Sequence, residues 1–435
     1  MLVRRMERWL SIHASRLSGC GWVLLAAVLI CAGTPEPSAA RADFPSLGST
    51  PSSASAKAQS PLERRLAAAL ASAGLPAGGS GAAVIDLLSG DIVFAHRSKS
   101  GLVPASNEKL PLTFAALRVL GVGFEIETEA LGVGSRAGAT WDGNLVLRGN
   151  GDPHLSSADL SALAHSVRAT GIRTISGDLV GDESFFDSRR AVRGWKRSFL
   201  VEECPPLSAL IVDRGRYQGT TSWTPALTAA LLFKQALAVN GVSVLGRVRI
   251  GVASETATPL ASVFSPPLWK LLRFMDRTSD NFTAELLLKQ LGASEYDVGT
   301  SANGAAVLID TLEFDGIPTA GVRIVDGSGL SSLDRLTPQA LVTMLEAVWA
   351  EPGLRKPFLN ALAVAGKTGT LSDRLQRPRT LGKVFAKTGT TRISSALSGY
   401  VKDRYAFAIL QNGNPVSAWK ARLAQDRFVS LLAAQ

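Results

Sequence analysis

A chain of 435 residues is long enough for two or three domains with sizeable cores, and 46% hydrophobic against 19% charged residues describes a folded protein rather than a disordered one. The net charge of +10 belongs partly to one end: residues 1–42 hold five basic and two acidic side chains, leaving 41 basic against 34 acidic, or +7, for the remainder. That excess suits an anionic polymer or surface, but no nucleic-acid-reading motif accompanies it, and a solvated basic surface accounts for it equally well.

The first 42 residues have the layout of a cleavable export signal. Basic side chains precede an apolar run at 22–32, and Ala40-Arg41-Ala42 offers a small-x-small cleavage site. The run is too short to span a bilayer. The expected destination is therefore the cell envelope or periplasm. Cys20 and Cys31 would leave with the signal, so Cys204 is the one cysteine of the mature chain and an internal disulfide is excluded. Residues 43–60, rich in Ser, Pro and Ala, predict a flexible linker.

Pro61 opens an amphipathic pattern that closes near Gly74, and strands are expected at 82–87 and 91–95 around a Ser89-Gly90 turn. A helix carrying Ser106 runs towards Gly121, with Pro111 bending its first turn or delaying its start. From 122 to 260 strand-like runs (124–133, 143–147, 173–180, 242–250) alternate with helices at 157–170 and 225–240. Helical patterns follow at 268–278 and 282–291, and Thr337-Pro338 is a helix start. Strands at 383–388, 395–401 and 405–411 and a helix at 418–432 finish the chain. Gly149-Asn150-Gly151 has neither a G-x-G-x-x-G helix opening nor a following Lys-Ser/Thr, so it reads as a turn and not a phosphate loop.

The chemistry gathers in three short motifs. Ser106 and Lys109 stand three apart, on one face of a helical start, where a neutral amine activates a serine without any histidine. That spacing alone carries little information. It gains weight from Ser279-Asp280-Asn281 and Lys387-Thr388-Gly389-Thr390 downstream. These three motifs occur in this order in penicillin-binding proteins and β-lactamases. Lys-Thr-Gly-Thr occurs twice, at 367–370 and 387–390, and the strand context favours the second copy. Alternatives are poorly supplied: His96, His154 and His165 lie outside the motifs, no G-x-S-x-G elbow is present, and no H-E-x-x-H exists for a metal. Neither a metal nor an organic cofactor is expected.

Over residues 61–435 the chain resembles the class C low-molecular-mass penicillin-binding proteins, the D-alanyl-D-alanine carboxypeptidase/endopeptidases. Stretches 104–109, 149–155, 175–180, 265–281, 326–330 and 386–400 look like family signatures. The resemblance implies an α/β (α+β) penicillin-recognising serine acyl-transferase fold, an antiparallel sheet flanked by helices. Residues 61–121 and 261–435 would form the catalytic domain, and 122–260 an inserted mixed α/β part. The interval between Ser106 and Ser279 is shorter than in the longer members, the gap falling just after Val212-Asp213-Arg214-Gly215.

It also implies roles. Ser106 attacks the carbonyl between two D-alanines of a peptidoglycan stem peptide, and Lys109, neutral through burial and a cationic neighbour, takes its proton. Ser279 relays a proton to the departing amine, while Asn281 holds the substrate amide and Lys109. Lys387, Thr388 and Thr390 bind the terminal carboxylate. The oxyanion sits between the N–H groups of Ser106 and Thr390, beside Gly389. β-Lactams are expected to be trapped at Ser106, and cross-bridge endopeptidase cleavage would use the same steps. Two other functions compete. A β-lactamase on this fold wants a Glu-x-x-Leu-Asn-like loop after Ser279, and neither Glu285 nor Glu313 has that setting. A non-catalytic peptidoglycan-binding protein would keep the fold without the reaction.

Overall fold

In a computed structural model of the chain, the residues described are 59–76 and 78–435. The export signal expected at 1–42 lies outside them. Of the expected linker 43–60, Gln59 and Ser60 are described, and Ser60 belongs to a helix cap. Its Oγ accepts the Glu63 N–H at 3.1 Å while Glu63 Oε2 accepts the Ser60 N–H at 2.5 Å, a reciprocal pair that starts helix α1 (Pro61–Ala71).

Strands β1 (Ser80–Asp86) and β2 (Ile92–His96) follow, then a 3₁₀ turn (Ala105–Glu108) leading into α2 (Lys109–Val119). The middle of the chain supplies β3 (Glu127–Ala137), β4 (Thr140–Gly149), α3 (Ser157–Ala169), β5 (Thr174–Ile175), β6 (Leu179–Asp182), α4 (Pro225–Val239), β7 (Ser243–Val244), β8 (Val248–Ile250) and β9 (Thr258–Phe264). After it come α5 (Leu268–Thr278), α6 (Asn281–Glu295), α7 (Ser301–Phe314), α8 (Pro338–Ala350) and α9 (Pro352–Ala361). The last part holds β10 (Ala363–Val364), β11 (Val384–Thr390), β12 (Ser394–Val401), β13 (Tyr405–Asn412) and α10 (Ala418–Leu432).

The two ends of this chain share one antiparallel sheet, in the order β10-β11-β12-β13-β1-β2. Its side chains alternate faces with period two. Ala82, Val84, Phe407 and Ile409 pack beneath α1 and α10 through Leu66, Leu70, Phe428 and Leu432. Ala83, Ala396, Ala406 and Ala408 face α2, α5, α6 and α8, meeting Phe114, Leu271, Leu287 and Leu345. Alanines on that second face let the helices lie close. Tyr400 reaches across the gap, donating its hydroxyl proton to the Leu345 carbonyl at 2.8 Å. A fully buried ring such as Phe428 contributes about 2–3 kcal/mol by removal from water.

A second sheet takes β3 to β9, in the order β8-β6-β4-β3-β9 with β5 and β7 alongside, while Arg216–Tyr217 and Thr220–Thr221 pair as a small hairpin of their own. Helices α3 and α4 cover one face with their own core of Leu163, Val167, Phe233 and Leu237 against Trp141, Leu145, Leu147 and Leu179. Its last strand runs past the boundary expected at 260.

Several elements differ from expectation. Ser106 stands in the 3₁₀ turn, two residues before Glu108 and three before α2's start, not within an α-helix. Pro111 is the third residue of α2, where the N–H has no intrahelical partner to lose, and the regular helix begins late, at Lys109, as one of the two expectations had it. The runs at 173–180 and 242–250 are each broken into two short strands by Gly177 and Gly246, whose backbones pass so close that a Cβ on Gly246 would stand 2.3 Å from the Gly177 carbonyl oxygen. Strand β9 and helices α7 and α9 were not foreseen.

Candidate active site

Ser106 is held by stitching between its own segment and the far end of the chain. Val103 exchanges hydrogen bonds with the Asn412 side chain (2.8 and 2.9 Å), and Ser394 Oγ donates to the Val103 carbonyl at 2.6 Å. Asn107 Nδ2 donates to the Lys387 carbonyl at 2.9 Å, tying the 3₁₀ turn to β11. Two positions are shaped by this closeness. Ala105 adopts φ +48°, a left-handed conformation that strains any residue bearing a Cβ. At Gly389 a Cβ would lie 2.9 Å from the Pro104 carbonyl oxygen and 3.1 Å from Ser106 N, so only glycine lets the strand pass.

Lys109 is completely buried. Its Nζ lies 3.2 Å from Ser106 Oγ, 2.9 Å from Asn281 Oδ1 and 2.7 Å from the Ser328 carbonyl oxygen. Burial lowers its pKa from the ordinary value, while the charges of Asp326, Glu285, Asp280 and Asp276 pull the other way. The depression expected from a cationic neighbour falls on Lys387 instead: burial first, and then the Lys109 charge, bring that ammonium down to about 7.

Helix α5 stops at Ser279, whose φ of +61° turns the chain sharply, and Asp280 restarts it as the cap of α6 by accepting the Thr283 N–H at 2.7 Å. Ser279 Oγ and Asn281 thereby point at different lysines. Lys387 Nζ donates to Ser279 Oγ at 2.8 Å and to the Thr388 carbonyl at 2.9 Å. The three motifs thus meet: Ser106–Lys109–Asn281 on one side and Ser279–Lys387 on the other.

Of the two Lys-Thr-Gly-Thr copies, Lys387 is buried beside Ser279 while Lys367 is exposed on a turn. The first copy is not idle, however. Its Thr370 Oγ1 sits 2.7 Å from Thr388 Oγ1, and Gly369 lies against Arg277, where a Cβ would be 2.5 Å from the carbonyl oxygen. Thr390 is exposed at the end of β11 and accepts from Arg422 Nη2 at 3.3 Å.

Behind Lys109 lies a group of buried carboxyls that motif reading did not place. Glu285 Oε1 accepts the N–H groups of Gly327 (3.1 Å) and Ser328 (2.8 Å), so it aims the Ser328 carbonyl at Lys109. Asp326 accepts from Gly329, Ser331 and Trp195 Nε1, each at 2.7 Å. Burial, followed by the Asp326 charge, raises Glu285 to about 8 and Asp334 to about 12. Glu108, with both oxygens unpartnered, is raised well above the ordinary range by burial and then by Asp326 and Glu285. The signal for Glu285 was its position, four residues after Asn281 on one helix face.

The second sheet's part of the chain also reaches the site. Arg214 Nη2 pairs with Asp280 Oδ2 at 2.6 Å, and Glu203's carbonyl accepts from Asn281 Nδ2 at 3.2 Å. The stretch after Gly215, where the gap was expected, is therefore next to the motif loop. His154 stacks edge-on against Phe274 (centroids 4.9 Å apart), and its Nε2 has no hydrogen-bond partner, so it forms no triad with Ser106. A separate hollow of about 510 Å³, lined by Arg189, Arg193, Thr300 and Arg323, contains none of the motif groups.

Comparison with known proteins bears on the family and the fold. A D-alanyl-D-alanine carboxypeptidase from an Actinomadura species is 30% identical over 456 residues, covering 85% of this chain and 84% of that one. Carboxypeptidase DacB of Mycolicibacterium smegmatis is 31% identical over 389 residues, covering 82% and 81%. The crystal structure of penicillin-binding protein 4 from Haemophilus influenzae superposes with a TM-score of 0.75 at 24% identity, covering 84% of this chain and 98% of that one. The model of the D-Ala-D-Ala carboxypeptidase 3 (S13) family matches residues 62–222 and 217–435, and the chain belongs to that family.

Proposed function

We propose that the protein is a serine D-alanyl-D-alanine carboxypeptidase acting on peptidoglycan stem peptides, with Ser106 as nucleophile. The observation that carries the assignment is the Ser106–Lys109 pair: a fully buried amine 3.2 Å from the serine oxygen, with its pKa lowered by burial. Ser106 Oγ forms the bond to the carbonyl carbon between the D-alanines, and its proton passes to Lys109 Nζ. The oxyanion is met by the N–H groups of Ser106 and Thr390. As the C–N bond breaks, the proton held by Lys109 passes to the leaving D-alanine with Ser279, hydrogen-bonded to Lys387, as the relay, so Lys109 is a neutral base again. Water then attacks the ester, gives a proton back through Lys109 and restores the serine. Asn281 holds Lys109 in line and faces the substrate amide. Thr388, Thr390 and Lys387 line the strand edge that takes the carboxylate. Cross-bridge cleavage follows the same steps with a different leaving amine.

Glu285 argues against the β-lactamase reading. Its carboxyl is committed to Gly327 and Ser328, buried behind Lys109, and cannot orient a deacylating water at the acyl-serine. We place the enzyme's work in the cell envelope, with 1–42 as its cleavable signal; the N-terminal residue of secreted protein checks this. The reaction is tested by D-alanine release from a pentapeptide, together with intact mass after brief exposure to benzylpenicillin. Release plus one stable adduct on the Ser106 peptide, both absent in Ser106→Ala, is the expected result. No adduct with the antibiotic consumed would make the protein a β-lactamase, and no adduct with the antibiotic intact would make the site inert.

A further inference from the structure

We propose that Arg422, on the C-terminal helix and outside all three motifs, supplies the permanent positive charge for the carboxylate beside the scissile bond and so sets the preference for ligands that carry one. The inference rests on the carboxypeptidase reading, whose substrate ends in such a carboxylate.

The motif cation is poorly suited to that task alone. Lys387 is fully buried, and its Nζ is already engaged by Ser279 Oγ and the Thr388 carbonyl, which occupies two of its three protons. Burial also brings its pKa down to about 7, so its positive charge is not permanent at neutral pH. A guanidinium stays charged throughout this range and presents a planar fork that fits a carboxylate.

Arg422 is placed and free to serve. Thr388 and Thr390 lie on one face of β11, the face covered by α10, and Arg422 Nη2 donates to Thr390 Oγ1 at 3.3 Å. Accepting that bond leaves the threonine proton for a ligand. One turn further on, the buried Gln425 clamps α10 to the sheet. Its Nε2 donates to Ser395 Oγ and Gln411 Oε1, each at 3.0 Å, and Ser395 is the register partner of Thr390. The helix face carrying Arg422 is therefore fixed opposite the end of β11, whose Gly389 touches the backbone of Ser106. The acid that would otherwise neutralise Arg422, Asp426 at i+4, is paired with Arg374 Nη2 at 2.7 Å. Among the described residues Arg422 forms no ion pair of its own.

The experiment compares wild type, Arg422→Gln and Arg422→Lys in the rate of adduct formation at Ser106. The ligands are benzylpenicillin, which has a carboxylate, and its methyl ester, which does not. Loss of one charge-assisted contact should slow Arg422→Gln by about tenfold or more with the acid and by less than about twofold with the ester. Arg422→Lys should recover part of the difference, and added salt should slow the wild type more than Arg422→Gln. Equal losses on both ligands, or none on either, would overturn the inference. Release of D-alanine by wild type is measured in parallel. If it is absent while penicillin still acylates Ser106, the carboxypeptidase reading fails and the acid–ester comparison still decides Arg422. If wild type forms no adduct at all, both fall.

Discussion

Replacing Glu285 by glutamine tests whether the carboxyl behind the lysine is held neutral in the folded protein. Glu285 is completely buried, its Oε1 takes two backbone N–H groups, and its Oε2 has no partner. Burial and then the Asp326 charge raise it from an ordinary 4.5 to about 8, against the pull of the Ser328 and Gly327 groups it accepts from. Between those two pH values the folded state keeps a proton that the unfolded chain has released. Its stabilisation is thus complete below 4.5 and is lost as pH rises through 8. At about 1.4 kcal/mol per pH unit the ceiling is about 5 kcal/mol. Glu285→Gln retains an acceptor for Gly327 and Ser328 but cannot ionise, so it escapes this loss. Urea unfolding of both proteins at pH 5, 6.5 and 8.5, at one ionic strength, reads the difference. Glu108 is raised in part by the Glu285 charge, so the difference between the two proteins reads Glu285 together with its coupling to that neighbour. Wild type should lose stability relative to the variant by several kcal/mol across the range. A difference that stays constant within about 0.5 kcal/mol would refute a neutral Glu285.

The remaining predictions concern the contact between segments. Gly329→Ala places a Cβ 1.9 Å from the Ala105 carbonyl oxygen at φ +81°, so the loop must leave the Ser106 turn; penicillin acylation should fall by at least about tenfold, read by intact mass. Lys109→Met fills the same buried space without a base, and acylation should drop by about 10²–10⁴-fold while circular dichroism stays native. Lys387→Ala should cripple acylation, whereas Lys367→Ala, at an exposed turn, should leave it within about twofold of wild type. If the two lysine variants behaved alike, the distinction between the copies would be wrong.

The sheet strands and the terminal helices were legible because local pattern and tertiary fate coincide in them. The elements that escaped notice each contain a residue chosen for a neighbour. Helix α7 carries Gly304, where a Cβ would stand 1.9 Å from the Leu288 carbonyl oxygen: glycine weakens the helical pattern but lets α7 lie against α6. Helix α9 encloses Pro357, which reads as a stop. Strand β9 holds Pro259 at a shift of register, tolerated because β9 is an edge that pairs with β3 alone. In all three, local propensity was overridden by packing or by an unpaired edge.

The site divides along the same line. Ser106, Lys109, Ser279, Asn281 and Lys387 were readable because each motif holds its groups at short spacing, and short spacing survives folding. Arg422, Glu285 and Thr370 were not, because each matters through contacts 18 to 43 residues away in sequence. Thr370 is the instructive case. The first Lys-Thr-Gly-Thr copy was set aside for lacking a strand, and that reasoning holds for its lysine, which is exposed. Yet Gly369 can press against Arg277 only because it has no side chain, and that contact brings Thr370 to Thr388. Strand context therefore decides which lysine is buried beside Ser279, while loop packing decides which threonines line the approach to it. A motif read as a unit conflates the two, and the physical site takes its lysine from one copy and a hydroxyl from each.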